Sequence, residues 1–211
     1  QLKKAVYGSW RGLLAARVRH WLNGNSRSGS KRNIMAHYDL GNTFYQRWLD
    51  PSMSYSSAIY RDVDDGSLEC AQHAKYRRIL NCLKAAPGQH VLEIGCGWGG
   101  FAEMAVQDGL QTTGLTLSPA QLVWAQMRVP GADLRLQDYR DLDEQFDHVV
   151  SIEMFEAVGE RWWPTYFKSL AKALKPGGRA VVQSITIRDD IFPEYRRSTD
   201  FIQQYIFPGG M

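Results

Sequence analysis

The residues best placed to do chemistry lie in the run VLEIGCGWGGF at 91–101, where an apolar stretch passes into a glycine-dense turn. Val91, Leu92 and Ile94 read as a buried strand, and Gly95, Gly97 and Gly100 let the backbone turn sharply and approach a ligand closely. A strand, a glycine turn and a following helix make a nucleotide-site layout. The spacing satisfies G-x-G-x-x-G, which would seat a pyrophosphate on the helix N-terminus. A dinucleotide also needs a carboxylate about twenty residues on, to hold a ribose 2′-OH. There the next strand ends in Gly114-Leu115-Thr116-Leu117-Ser118 with no acid, which argues against NAD. The acid in the neighbourhood is Glu93, two residues before the first glycine.

Other reactive side chains form no competing constellation. His20, His37, His73, His90 and His148 show no metal spacing and read as surface or satisfied polar positions. Cys70, Cys82 and Cys96 are odd in number and match neither a disulfide framework nor a zinc spacing, which points to a reducing cytoplasm. A G-x-S-x-G elbow and a P-loop lysine motif are both missing, which leaves hydrolase and NTPase readings without support. Two features carry a purely structural reading beside a functional one. Ser118-Pro119-Ala120-Gln121 is a capping box with proline at N1, and Gly99 and Gly100 suit tight helix–strand packing.

Elements that would position the glycine turn alternate along the chain. The patterning predicts helix 67–86, strand 90–94, helix 99–108, strand 111–116, helix 119–128, strand 133–136, strand 146–152, helix 162–174 and strand 179–187. That alternation is what an α/β sheet covered by helices on both faces requires.

Charge is unevenly spread. Lys3, Lys4, Arg11, Arg17, Arg19, Arg27, Lys31 and Arg32 make residues 1–38 carry +8 with no acid, so a whole-chain charge of +3 leaves −5 on the remainder. Leu2, Val6, Trp10, Leu13, Leu14, Trp21 and Leu22 recur between those cations at near-helical spacing. This suits an interfacial helix on an anionic surface such as a phospholipid membrane. A helix packed on the domain with a solvated basic face is the competing reading, since Lys3 and Arg17 fall on the apolar arc. Residues 1–30 are thus a basic amphipathic extension, ending in the flexible linker composition NGNSRSGS at 23–30, and residues 31–211 form one main domain. With no apolar run of spanning length, the expected location is cytoplasmic, peripheral at the inner membrane surface.

Position by position, a family resemblance now emerges. Glu93 ahead of the glycine turn resembles the Rossmann-like S-adenosylmethionine (SAM) methyltransferases. AHYDLGNTFYQRWLDPSMSYSSAIY (36–60), VLEIGCGWGGFAEMA (91–105), GLTLSPAQ (114–121), SIEMFEAVG (151–159), PGGRAVVQSITI (176–187) and YRRSTDFIQQYIFPGGM (195–211) together resemble the cyclopropane-fatty-acyl-phospholipid synthases, mycolic acid cyclopropane synthases included. The likeness runs from about residue 31 onward. It implies a class I SAM methyltransferase sheet, normally of seven strands. Five are evident here, so the protein is expected to continue past Met211.

The resemblance also implies roles. SAM would be held by Tyr55 and Ser56, by Gly95 and Gly97 with Glu93, by Thr116 and Gln121, by Tyr139 and by Ile152. A cis double bond of an unsaturated phospholipid acyl chain would attack the sulfonium methyl, and proton loss from the resulting cation would close a cyclopropane. Tyr38, Phe44, Tyr45, Trp48, Tyr55, Tyr60, Phe155, Phe201 and Tyr205 would offer faces that tolerate a cation. In the family the proton acceptor is a bound bicarbonate. Of its ligands, Glu156 matches the glutamate and Ile185 the backbone amide. Ser57 stands where cysteine is typical and Gln183 where histidine is; both can still hydrogen-bond an anion, so a weakened bicarbonate site is expected, and ring closure is more in question than methyl transfer.

Other outcomes stay open: a methyl- or methylene-branched product, another small-molecule methyl acceptor, or a non-catalytic SAM- or lipid-binding module. Nucleic acid is disfavoured, because an N/D-P-P-Y/W type motif is missing after the fourth strand, where Glu153-Met154-Phe155-Glu156 stands. Nothing in the chain decides the oligomeric state, homodimer included.

Overall fold

Strands β1 (His90–Ile94), β2 (Gln111–Thr116), β3 (Asp133–Leu136), β4 (Phe146–Ile152) and β5 (Leu174–Gln183) pair in parallel in the order β3-β2-β1-β4-β5. This computed structural model describes residues 26, 29, 41–60 and 66–196. Parallel neighbours need crossovers, and helices supply most of them. Helix α1 (Asn42–Tyr45) comes first, followed by α2 (Leu68–Leu83), α3 (Gly100–Gln107), α4 (Pro119–Arg128), α5 (Trp163–Ala173) and α6 (Phe192–Tyr195). The result is a five-stranded parallel α/β sheet, in keeping with the architecture that the resemblance implies.

Helix ends follow local chemistry. The Ser67 hydroxyl accepts from the Cys70 amide to start α2, and Lys84 stops it in the left-handed conformation at φ 53°. Ser118 accepts from the Gln121 amide and Pro119 occupies the first turn of α4, as predicted, but the Ser118 amide donates to Thr116 rather than to the Gln121 side chain, so the capping box is only half formed.

Burial on both faces explains why the central strands β1 and β4 read as largely apolar runs. On β1, Val91 packs with Tyr76, Ile79, Leu80 and Leu83 of α2 and with Phe101 of α3. Leu92 and Ile94 point the other way, toward Tyr166, Leu170 and Ala173 of α5. A third cluster of Cys96, Ala102, Ala125, Val129 and Leu134 joins α3 and α4 to β3.

Two elements differ from expectation by more than one residue at an end. Helix α2 ends three residues early, at Leu83 rather than 86, because Lys84 turns left-handed ahead of Pro87. Strand β5 covers Leu174–Gln183 rather than 179–187. Leu174 already pairs with Phe146, an irregularity absorbs Lys175 to Gly178, and pairing resumes at Arg179 and His148. It stops at Gln183 because its partner strand stops there, at Ile152. Of the basic extension and linker only residues 26 and 29 are described; the other 1–30 positions, and the blocks at 36–40 and 197–211 with Tyr38, Phe201 and Tyr205, lie outside the described residues.

Among the described residues no helix is long and apolar enough to cross a membrane. Nor does any group of three or more His, Cys, Asp or Glu side chains there suit a metal ion.

Candidate active site at the carboxyl ends of β1 and β4

In this strand order the connections leave β1 and β4 on opposite sides, and such a switch point opens a crevice at the carboxyl ends of the strands. The glycine loop lies there, directly after β1. Gly95, Gly97 and Gly99 adopt φ of 84°, 53° and 86°, a region costly for residues with a Cβ. The amides of Gly95 and Cys96 both donate to the Leu115 carbonyl at 2.9 Å, pinning the loop over β2.

The glycines divide the work. A Cβ on Gly97 would meet no protein atom within 4 Å, so this position faces open space. A Cβ on Gly100 would lie 2.9 Å from the Tyr76 hydroxyl and 3.1 Å from the Ser52 carbonyl, and one on Gly99 would lie 3.2 Å from Ala125. Gly99 and Gly100 therefore serve packing.

Beneath the loop, Glu93 is buried at 3% exposure. Burial pushes its carboxyl up to about 8, opposed by the Lys75 ammonium and by a hydrogen bond from the Ala102 amide. Lys75 is fully buried, and desolvation brings it down to about 8 against the pull of Glu153, Asp50 and Glu93. Its ammonium donates to the Ser56 hydroxyl and the Gln72 side-chain carbonyl. Glu93 thus acts on the loop from below, and its Oε2 has no hydrogen-bond partner among the described residues.

The segment 50–57 is held above this floor by buried polar contacts. Asp50 accepts from the Ser52 and Ser54 amides at 2.9 and 3.3 Å. The hydroxyls of Ser52, Ser54 and Tyr76 form a chain. Arg128 of α4 donates to the Pro51 and Ser52 carbonyls, and Gln72 of α2 donates to the Ser56 carbonyl at 2.8 Å. Tyr55, Ser56 and Ser57 are thereby fixed at the crevice. Trp98 of the glycine loop packs with Tyr45 and Met53, and its indole donates to Asn42 at 2.8 Å.

Ser57 and Gln183, far apart in sequence, meet, with Gln183 Nε2 3.1 Å from Ser57 Oγ. Their donors converge on a residue that the sequence reading left without a role. Glu153 Oε1 accepts from the Ser57 amide at 3.0 Å, from the Ser57 hydroxyl and from Gln183 Nε2 at 2.8 Å. Glu153 has φ 46°, a conformation that costs a residue with a side chain about 1–2 kcal/mol. Its amide donates to the Gln183 carbonyl at 2.9 Å. Glu156 lies beside this cluster: its Oε1 accepts from the Ser184 hydroxyl at 2.8 Å and from the Ile185 amide. Glu156 Oε2 is buried with no partner among the described residues.

The outlying positions are placed as follows. Thr116 and Gln121 are buried and address each other, the threonine hydroxyl donating to the glutamine carbonyl at 2.9 Å and accepting from the Ser118 amide at 3.1 Å. Their side chains thus fix the turn between β2 and α4. Tyr139 is half-buried edge-on to Tyr166 at 5.7 Å, and burial pushes its phenol up to about 12. Ile152 ends β4 against the α2 side of the core. The aromatics split into two groups. Phe44, Tyr45, Trp48 and Tyr55 stack together, with Phe44 and Trp48 half exposed. Phe155 instead packs with Trp163, Tyr166 and Phe167 in the core.

A family model described as mycolic acid cyclopropane synthetase matches residues 25–211. The chain belongs to that family. It is 39% identical to the tuberculostearic acid methyltransferase UfaA1 of Mycobacterium tuberculosis, over 94% of this chain and 52% of that protein. It is 44% identical to the cyclopropane-fatty-acyl-phospholipid synthase of Escherichia coli K12, over 82% of this chain and 45% of the relative. The chain therefore spans about half the length of these curated relatives. Among solved structures, mycolic acid cyclopropane synthase CmaA1 complexed with SAH and CTAB superposes with a TM-score of 0.77 at 32% identity, covering 85% of this chain and 68% of that one.

Within this family site, Glu153, Lys75 and Trp98 were missed by sequence reasoning. Glu153 carries one readable signal, its place on the turn just after β4 in the same short run as Glu156. Lys75 carries none, since a lysine on an amphipathic helix reads as part of its solvated face until the packing of that helix is seen.

Proposed function

We propose that the glycine loop holds SAM and that the whole protein transfers its methyl carbon to the cis double bond of an unsaturated phospholipid acyl chain, forming a cyclopropane. One observation carries the SAM assignment: Gly97 fronts open space at the switch-point end of β1, in a chain of this family. When bound, SAM supplies an electrophilic methyl on a sulfonium. Gly95 and Gly97 admit it close to the backbone, and Tyr55 and Ser56 orient it from above. Thr116, Gln121 and Ile152 shape the rim, Tyr139 flanks it, and Glu93 braces the loop.

An alkene is a poor nucleophile, so alignment and exclusion of water must supply much of the rate. The half-exposed rings of Phe44 and Trp48, beside Tyr55, offer an apolar bed for the acyl chain and faces that attract a developing cation. Proton removal through bicarbonate does not fit the residues present. Ser57 and Gln183 spend their donors on Glu153, and the Ile185 amide spends its own on Glu156. A free anion would also join two carboxylates already at the site.

The basic extension of +8 suits docking at an anionic, cytoplasmic membrane surface, where such substrates reside. A second reading, a methylene-branched product, is favoured by Ser57 and Gln183 at positions that are cysteine and histidine in the family pattern, and by the likeness to a tuberculostearic acid methyltransferase. Mass spectrometry and proton spectra of lipids from cells expressing the full-length protein separate these outcomes. Cyclopropanation adds one CH2 and removes olefinic signals, whereas a methylene branch adds one CH2 and keeps them. Unaltered lipids would refute both.

A further inference from the structure

We propose that Glu153 is the built-in proton acceptor of this site, its carboxylate filling the donor cradle of Ser57 and Gln183 where a free anion would otherwise sit. The proposal rests on the acyl-chain alkylation proposed above and adds the group that completes it. Three donors, the Ser57 amide and hydroxyl and the Gln183 amide group, meet on Glu153 Oε1. Gln183 also bridges to Ser57 at 3.1 Å, closing a ring around that oxygen. The backbone is committed to the same arrangement, with φ 46° and the Glu153 amide bound to the Gln183 carbonyl at 2.9 Å. Oε2 accepts from no described residue and is the atom left to take a proton.

Position agrees with this role. Glu153 follows the last residue of β4, and its neighbour Met154 touches the glycine loop, where a Cβ on Gly95 would lie 3.1 Å from Met154 Cγ. Glu153 therefore sits at the rim of the proposed cofactor cradle. Charge argues the same way, because Glu156 already holds the adjoining Ser184 and Ile185 donors, and a mobile anion between two carboxylates would be repelled.

The step balances without a further reagent. The alkene π pair forms a C–C bond to the methyl carbon as the C–S bond breaks, leaving a carbocation on the other alkene carbon. A C–H bond of the added methyl then gives its electron pair to the second ring bond, and its proton passes to Glu153 Oε2, later leaving to water. A carbocation is acidic enough to need only a weak base. Three hydrogen bonds spread the charge of Glu153 and temper its nucleophilicity, so that it takes the proton rather than trapping the cation.

The test uses the full-length protein with SAM and vesicles of cis-unsaturated phospholipid, with and without added bicarbonate in carbonate-depleted buffer. Wild-type turnover is expected to be the same in both buffers. Glu153→Gln should keep SAM affinity and lose product by roughly 10²–10⁴-fold, the usual loss on removing a general base. Glu153→Gly, which accepts φ 46° without strain, should be equally slow in depleted buffer and partly restored by bicarbonate, because it frees the Ser57 and Gln183 donors. Wild-type activity that depends on bicarbonate, or full turnover by Glu153→Gln, would overturn the assignment while leaving the alkylation intact. A wild type that binds SAM and methylates no lipid would remove both.

Discussion

Gly97 and Gly100 are three residues apart and do opposite things. At Gly97 the left-handed φ of 53° and the open space beyond make the missing Cβ a matter of ligand access. At Gly100 the Tyr76 hydroxyl and Ser52 carbonyl make it a matter of packing. Gly97→Val should therefore abolish SAM binding by calorimetry while circular dichroism still reports the fold, at a strain cost of about 1–2 kcal/mol. Gly100→Ala should cost about 1–3 kcal/mol of stability through overpacking and bind SAM nearly normally wherever it folds. If the two phenotypes were exchanged, the cofactor cradle would have been placed on the wrong glycine. Both residues were legible as a glycine turn from spacing alone. Which of them faces a ligand was not, because that depends on α2 and the segment at 50–57 arriving from elsewhere in the chain.

Between elements, the buried pair of Lys75 on α2 and Glu93 on β1 should leave a mark on stability. In the unfolded chain Glu93 releases its proton near 4.5, and in the folded protein burial retains it up to about 8. The folded state binds more protons across that window, so its contribution to stability falls as pH rises from 4.5 to 8. Lys75, lowered from 10.5 to about 8, acts above that window, where the folded state holds fewer protons and stability rises with pH. Denaturant midpoints measured from pH 4.5 to 8 should therefore decline less steeply in Glu93→Gln than in wild type. Equal slopes would show that burial does not hold the Glu93 proton. Neither partner announced this from sequence. Glu93 was read as a cofactor-side acid and Lys75 was given no role, yet the sheet buries one under the loop and α2 buries the other where the two charges are felt.

Across the whole molecule, charge is segregated, with +8 on residues 1–38 and −5 on the rest. If the extension docks on anionic lipid, vesicle binding by the full-length protein should weaken as salt rises, since at physiological ionic strength screening acts within about 8 Å. Deleting residues 1–30 should remove that salt-dependent component and leave SAM binding unchanged. Binding that ignores salt would return the extension to a helix packed on its own domain.

What the sequence determined by itself is local or additive. Strands 111–116, 133–136 and 146–152 and helix 119–128 are bounded as their apolar runs and caps predicted, because a capping serine or a run of β-branched residues acts within a few positions. The glycine turn after β1, the charge segregation and the family blocks are likewise readable along the chain. Only the tertiary structure decided where the donors of the site are spent. Ser57, Gln183 and Glu153 lie 96 and 30 positions apart yet share one oxygen, a convergence set by the pairing of β4 with β5 and by the seat of segment 50–57 on α2. Hydrogen bonds select partners by distance in space, and no spacing rule along the chain encodes a contact that three separate elements must meet to make.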